Sequence, residues 1–136
     1  MRLVICRHAS TDYNERHLVQ GQLTDLPLSP LGEKQAGRLA EVLSKEPIVT
    51  IYSSPLRRAL QTASVIATQF DKPVFSSVAL QEISVGLAEG CPIDELKGRF
   101  PKFWQQWQGD GDVQWPGGES VSDVARRASE FLVELK

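Results

Sequence analysis

Two short polar segments hold the residues that could do chemistry in this 136-residue chain. One runs from Arg7 and His8 to Asn14; the other runs from Ser53 to Ala63 and contains Arg57 and Arg58. The first offers an arginine, an imidazole and an amide. The second offers two guanidinium groups in what reads as the first turn of a helix, whose positive end favours anions. Together they describe a site for a phosphate. A guanidinium binds phosphate oxygens as a fork and keeps its charge, so two of them could neutralise a phosphoryl group and its in-line transition state. An imidazole between them could attack phosphorus through its neutral nitrogen, with the other ring nitrogen held as N–H to a backbone carbonyl. Neighbouring arginines disfavour its protonation and keep it nucleophilic. Spacing alone leaves a plainer reading open: a lone histidine after a strand is more often structural, and an Arg-Arg pair early in a helix is usually a solvated face.

The elements that must position these residues follow from the apolar pattern. Leu3-Val4-Ile5-Cys6 is a continuous run with β-branched residues, which predicts a strand buried on both faces, with Cys6 as a small hydrophobe inside it. His8 then lies just past a strand's carboxyl end, where parallel α/β sheets bind ligands. After a polar stretch over 9–28, Ser29-Pro30 predicts an N-cap and first helical position, with a helix to about Lys45 interrupted by Gly32 and Gly37. Ile48 to Tyr52 predicts a second strand, and Ser54-Pro55 repeats the capping signal before a stripe at Leu56, Leu60, Ala63, Ile66, Ala67 and Phe70. Asp71-Lys72-Pro73 ends that helix and Val74 to Val78 predicts a third strand. The order β-α-β-α-β predicts an α/β fold with a parallel sheet and right-handed crossovers.

Residues 79–118 carry glycines, prolines, Trp104, Trp107 and Trp115, and read as a cap-like insertion with short helices near 93–98 and 101–108. A last helix opens at Ser120, with Asp123 completing a capping box, and carries Val121, Val124, Ala125, Ala128, Phe131, Leu132 and Leu135. The length predicts a single domain over residues 1–136. Apolar residues at 41% and charged residues at 24% are ordinary for a globular protein, and a net charge of −2 without a basic run argues against nucleic-acid binding. Two cysteines, Cys6 and Cys91, are too few for a disulfide framework and fit a reducing cytoplasm. No apolar stretch has the length of a signal peptide's core or a membrane span.

With these residues placed, the chain resembles the histidine phosphatase superfamily, which includes the cofactor-dependent phosphoglycerate mutases. Arg7-His8-Ala9 through Asn14 resembles the family's Arg-His-Gly block, and Ser54-Pro55-Leu56-Arg57-Arg58-Ala59-Leu60-Gln61-Thr62-Ala63 resembles its second block. Gln20-Gly21, Asp25, Leu28 and the run from Leu31 to Ala36 are similar to the family's loop and first helix. Leu80-Gln81-Glu82 and Pro116-Gly117-Gly118-Glu119-Ser120 are similar to two later segments. The resemblance implies a three-layer α/β/α fold with a mostly parallel sheet, phosphoglycerate mutase-like, over essentially the whole chain. It implies His8 as the phosphorylated residue and Glu82 as general acid and base. Arg7, Asn14, Gln20, Gly21 and Arg58, rather than Arg57, are implied as substrate-binding. It implies neither metal nor other cofactor.

The chain departs from the family at Ala9 and Ser10, where a glycine and often an acidic residue stand, changes that a tight backbone turn would resist. The larger departure is that the family's second histidine lacks a counterpart, since the other histidine is His17, before Gln20. This predicts a truncated domain whose C-terminal part is missing and whose open sheet edge would favour self-association. The leading expectation is a phosphomonoesterase that acts on a small organic phosphate through phospho-His8. The Pro-Gly-Gly-Glu-Ser turn and short insertion look most like α-ribazole 5′-phosphate phosphatases and broad-specificity phosphatases. A phosphoglycerate mutase is the weaker enzyme reading, because position 83 is Ile83 where mutases carry arginine. The alternative from another class is a phosphate-binding domain that cannot turn over.

Overall fold

The computed structural model describes residues 2–109 and 111–135. In chain order its elements are α1 (Asp12–Glu15), α2 (Pro30–Leu43), β1 (Ile51–Ser53), α3 (Arg57–Thr68), β2 (Val74–Ser76), α4 (Leu96–Arg99), α5 (Pro101–Trp107) and α6 (Val121–Glu134). Single 3-10 turns stand at Val78–Leu80, Gly86–Ala88 and Ile93–Glu95. The chain divides into two compact units, one of Met1–Asp12 and Asp25–Gln81, the other of Tyr13–Thr24 and Glu82–Lys136. Among the described residues no helix is long and apolar enough to cross a membrane.

The first unit is α/β. β1 and β2 pair in parallel with Ile51 opposite Val74, Tyr52 opposite Phe75 and Ser53 opposite Ser76, and α3 forms the crossover between them. Ser29 caps α2 as predicted, its hydroxyl accepting the Gly32 N–H at 3.1 Å, with Pro30 at the start. α2 packs on α3 through Ala40, Leu43 and Ile66, with Leu39, Ile51 and Phe70 against them. A smaller cluster of Ala9, Leu28 and Ala36 anchors the segment after His8.

Two expectations fail here. Leu3 to Cys6 does not form a strand, and Leu3, Val4, Ile5 and Cys6 are exposed, Ile5 to 89%. A strand needs a ladder partner as well as a β-branched run, and no described segment pairs with this one. The helix after Ser54-Pro55 starts at Arg57, so neither residue takes the capping place. The Ser54 hydroxyl accepts the Leu56 N–H instead, and the Arg57 N–H is met from 32 residues away by the Asp25 carboxylate at 2.6 Å. A carboxylate there satisfies an orphan donor and complements the helix dipole.

The second unit is built on irregular backbone. Its core is Val19, Val85, Ala88, Cys91 and Leu96, with Ile83, Phe100, Trp104 and Trp115 packed around it. Phe103, buried to 4% exposure, stacks on Trp115 with ring centres 4.4 Å apart. Short helices over 93–99 and 101–107 match the expectation for this region. α6 has the predicted capping box, with the Ser120 hydroxyl and the Asp123 N–H at 3.1 Å and the Asp123 carboxylate returning to the Ser120 N–H at 3.0 Å. Its apolar stripe is only partly covered: no residue of α6 is buried, and Val121 and Leu132 are exposed.

Candidate active site

In the first unit the structure brings His8 and Arg58 together. Arg58 stands in the first turn of α3, where it is 1% exposed, and its Nε–H donates to His8 Nε2 at 3.2 Å. His8 Nδ1 lies 2.7 Å from the Ala9 carbonyl oxygen. A guanidinium can only donate, so Nε2 must present its lone pair, and Nδ1 carries the hydrogen that the carbonyl accepts. The imidazole is therefore neutral, in one tautomer, with a ring nitrogen able to act as a nucleophile. Arg57, beside Arg58 in sequence, is exposed. The Arg-Arg pair thus splits into one solvated and one buried member. Arg7 is also exposed, and among the described residues no hydrogen bond joins it to His8.

The backbone after His8 is held by side chains from both helices. The Ala9 N–H donates to Thr62 Oγ1 at 3.1 Å, while the same hydroxyl donates to the Arg58 carbonyl at 2.8 Å. The Ser10 N–H is met by Gln35 Oε1 at 2.9 Å, and the Ser10 carbonyl accepts the Ser29 N–H at 2.9 Å. Gly32 belongs here too: a Cβ at that position would run into the Ser10 carbonyl oxygen, so the glycine that weakens α2 is what lets it approach. Ala9 itself needs no glycine, because among the described non-glycine residues only His17 and Asp71 have positive φ. That answers the objection that the turn would resist alanine.

Asn14, Gln20, Gly21 and Glu82 all belong to the second unit. Asn14 sits in α1, and its carbonyl accepts the His17 N–H at 3.2 Å. Gly21 is buried and donates its N–H to Glu89 Oε1 at 3.0 Å. Glu89 also receives the N–H groups of Leu23 and Thr24, at 3.4 and 3.3 Å, so one carboxylate ties down the loop that follows Gln20. Glu82 is half-buried, with its Oε1 accepting the Ile83 N–H at 3.0 Å.

Glu82 has neighbours that the sequence pattern did not single out. Its carbonyl oxygen accepts from Gln22 Nε2 at 2.7 Å and from Arg127 Nη2 at 3.2 Å. Arg127 forks onto Glu119, Nε to Oε1 at 3.0 Å and Nη2 to Oε2 at 3.1 Å. Burial raises the Glu119 pKa, but the bonds from Arg127 and the Ser84 N–H, with the Arg127 charge, outweigh it and hold the carboxyl below its ordinary range. The only hint of this cluster in the sequence is the Pro-Gly-Gly-Glu-Ser turn. Among the described residues no three His, Cys, Asp or Glu side chains gather into a group that could hold a metal ion.

Comparison with known proteins places the chain in a family. Residues 3–136 match the model of the histidine phosphatase superfamily, branch 1. The chain is 36% identical over 137 residues to phosphoserine phosphatase 1 of Hydrogenobacter thermophilus, covering 100% of this chain and 64% of the relative. It is 40% identical over 134 residues to glucosyl-3-phosphoglycerate phosphatase of Mycolicibacterium vanbaalenii, covering 98% of this chain and 59% of the relative. Among solved structures, a mycobacterial glucosyl-3-phosphoglycerate phosphatase complexed with VO3 superposes with a TM-score of 0.87 at 38% identity, covering 94% of this chain and 63% of that one. The chain thus spans less than two-thirds of the length of these relatives.

Proposed function

This chain belongs to the histidine phosphatase superfamily, and we propose that it carries the phosphoryl-accepting centre of a phosphomonoesterase that works through His8. The observation that carries the reading is the pair of bonds on His8, Nδ1 to the Ala9 carbonyl and Nε2 to the buried Arg58. Together they hold a neutral imidazole with its lone pair beside a cation that suits phosphate oxygens. In the proposed reaction the Arg58 Nε–H turns from Nε2 to a phosphate oxygen, the freed Nε2 lone pair attacks phosphorus, the N–P bond forms, and the ester P–O bond breaks toward the alcohol. Glu82 gives a proton to that leaving oxygen, then takes one from the water that cleaves phosphohistidine to inorganic phosphate. Arg7, Asn14, Gln20, Gly21 and Arg58 are assigned to substrate binding. Incubation with a labelled phosphomonoester is expected to give an acid-labile, base-stable adduct that His8→Ala abolishes. Label that persists in the His8→Ala protein would refute the assignment.

The finer reading of the substrate is α-ribazole 5′-phosphate, supported by the Pro-Gly-Gly-Glu-Ser turn and the short insertion. The relatives add phosphoserine and glucosyl-3-phosphoglycerate as competing small phosphomonoesters. Ranking kcat/KM over these three compounds decides between them, and a tenfold preference for either competitor removes the finer reading. Ile83 packs against the core of the second unit, which supports hydrolysis over mutase chemistry because an isoleucine at that position offers no cation for a substrate carboxylate. With 3-phosphoglycerate the expected product is free phosphate; formation of its isomer would reverse that choice. A second reading, binding without turnover, rests on His17, the other histidine, which is exposed. Binding of inorganic phosphate that depends on Arg58, with no adduct at His8 and no release of phosphate from a phosphomonoester, would establish it. Both cysteines are free, which supports placing the protein in the reducing cytoplasm.

A further inference from the structure

We propose that Gln22, Glu119 and Arg127 form a clamp on the backbone of Glu82, and that this clamp sets the position of the Glu82 carboxyl for proton transfer. The inference rests on the reading of Glu82 as general acid and base given above. Glu82, Ile83 and Ser84 are in irregular backbone, yet four of their backbone polar groups are engaged: the Glu82 carbonyl, the Ile83 N–H, and the Ser84 N–H and carbonyl. The Glu82 carbonyl takes two bonds, from Gln22 and Arg127. The Ser84 N–H donates to Glu119 Oε2 at 2.8 Å, and the Ser84 carbonyl accepts the Glu119 N–H at 2.8 Å. Gln22 Nε2 also reaches Glu119 Oε2 at 3.1 Å, closing the ring of contacts. The Ile83 N–H, lying between these fixed groups, binds Glu82 Oε1. The carboxyl is thereby tethered to a peptide that is itself immobilised.

Chemistry and chain geometry both fit a positioning device. Arg127 uses two nitrogens on Glu119 and turns one of them to the Glu82 carbonyl as well, a three-contact pattern that a planar fork can make and an ammonium cannot reproduce. Arg127 and Glu119 side chains are 19% and 25% exposed, so the pair is screened less than an ordinary surface bridge. Glu119 directly precedes the Ser120 cap of α6, and Arg127 lies two turns into that helix, so the capping box sets their spacing. The two glycines of the turn serve the same end. Gly117 has φ of 68°, and a Cβ on Gly118 would collide with the Ser84 carbonyl oxygen. Gly118 and Glu119 of the Pro-Gly-Gly-Glu-Ser turn thus both act directly on Ser84.

A positioning role and a merely structural one separate by leaving group. A p-nitrophenolate departs without a proton, whereas an alkyl alcohol needs one, so in the phosphorylation step, which kcat/KM reports, only the alkyl ester depends on a well-placed Glu82; the later hydrolysis of phosphohistidine is common to both esters. Arg127→Lys is expected to lower kcat/KM for an alkyl phosphate such as phosphoserine by about 10- to 100-fold. The same variant should leave p-nitrophenyl phosphate nearly unchanged, and Gln22→Ala, a milder change, should show the same pattern in smaller degree. Combined with Glu82→Gln, Arg127→Lys should add little further loss. Equal losses on both esters, or losses that multiply with those of Glu82→Gln, would overturn the inference. Should the unaltered protein form no adduct at His8, the function proposed above fails and the clamp's role fails with it. An intact adduct with substrate-independent losses would sink the clamp alone.

Discussion

The two units hold their reactive residues in different ways. In the first, His8 is followed by backbone that side chains of α2 and α3 secure, and Arg58 comes from the first turn of α3. In the second, Glu82 sits in coil between 3-10 turns, and side chains from distant parts of the sequence secure it. Regular elements satisfy their backbone groups locally, so a side chain on them inherits its direction from the helix or strand. Coil has no such supply, and each buried N–H and C=O must find a partner elsewhere. Mutation should therefore hurt the two units through different residues. In the first the residues expected to be most sensitive are His8 and Arg58 themselves; in the second they are the side chains that hold the Glu82 backbone.

The largest expected effect lies in the first unit. Arg58→Lys keeps the charge but loses the fork and the Nε–H that meets His8. The rate of His8 phosphorylation, followed with a labelled phosphomonoester, is expected to fall about 100-fold. A fall of less than about threefold would mean that the guanidinium acts only as a point charge. The next effect tests both units with one chemical change. Gly32→Ala and Gly118→Ala each drive a methyl group into a carbonyl oxygen, of Ser10 and Ser84 respectively. Each should cost about 1–3 kcal/mol in denaturant titrations. Gly37→Ala is the control: it has open space around it and should gain about 0.5–1 kcal/mol through helix propensity. If the comparison holds, Gly32→Ala slows formation of the His8 adduct, and Gly118→Ala instead makes the rate more sensitive to the leaving group.

This contrast also explains what could be seen in the sequence. The Ser29-Pro30 start of α2, the stripe of α3 and the capping box of α6 are local signals and were legible. Local pattern offered an imidazole and arginines but left their pairing open; the structure brings His8 and Arg58 together. The choice of Arg58 over Arg57 came from family resemblance, and the structure supplies a physical reason in burial. Leu3 to Cys6 was misread because a strand's pairing is not a property of its own residues. The clamp was invisible for a similar reason. Gln22, Glu119 and Arg127 lie 60, 37 and 45 positions from Glu82 and meet it, or each other, through side chain to backbone bonds that have no period. The Asp25 carboxylate that starts α3 was seen only as a matching residue, without its use.

A smaller effect sharpens the second half of the comparison. Ser120→Ala removes a hydroxyl that accepts the Asp123 N–H, and with it one side of the capping box. The expected cost is about 1 kcal/mol in denaturant titrations. Because Glu119 and Arg127 flank this helix start, the variant should also share the leaving-group sensitivity of Arg127→Lys, at a fraction of its size. The corresponding Ser29→Ala in the first unit should lose similar stability without that sensitivity.

The smallest effect is one of pH, and it too divides the units. Among the described residues, the carboxyls held below their ordinary range are Asp112, Glu119 and Asp123, all in the second unit. For Asp112 and Asp123 the cause is hydrogen bonding from the start of α6, from Ser122 and Ser120 first of all. A carboxyl whose pKa is lower folded than unfolded binds fewer protons in the folded state, so stability from this source is complete above the unfolded value. It is lost as pH falls through the folded one. The unfolded reference is the ordinary carboxylate range, about 4, so the loss begins as pH falls through that range and deepens below it. Hydrogen exchange measured from pH 7 to pH 3 should therefore show the amides of Ser84 and the first turn of α6 losing protection before those of α2 and α3. Glu119→Gln should remove much of the pH dependence at Ser84, because the amide keeps an acceptor for that N–H but cannot titrate. Equal loss of protection in both units across this range would mean that the acid response is global and that the clamp is not its origin.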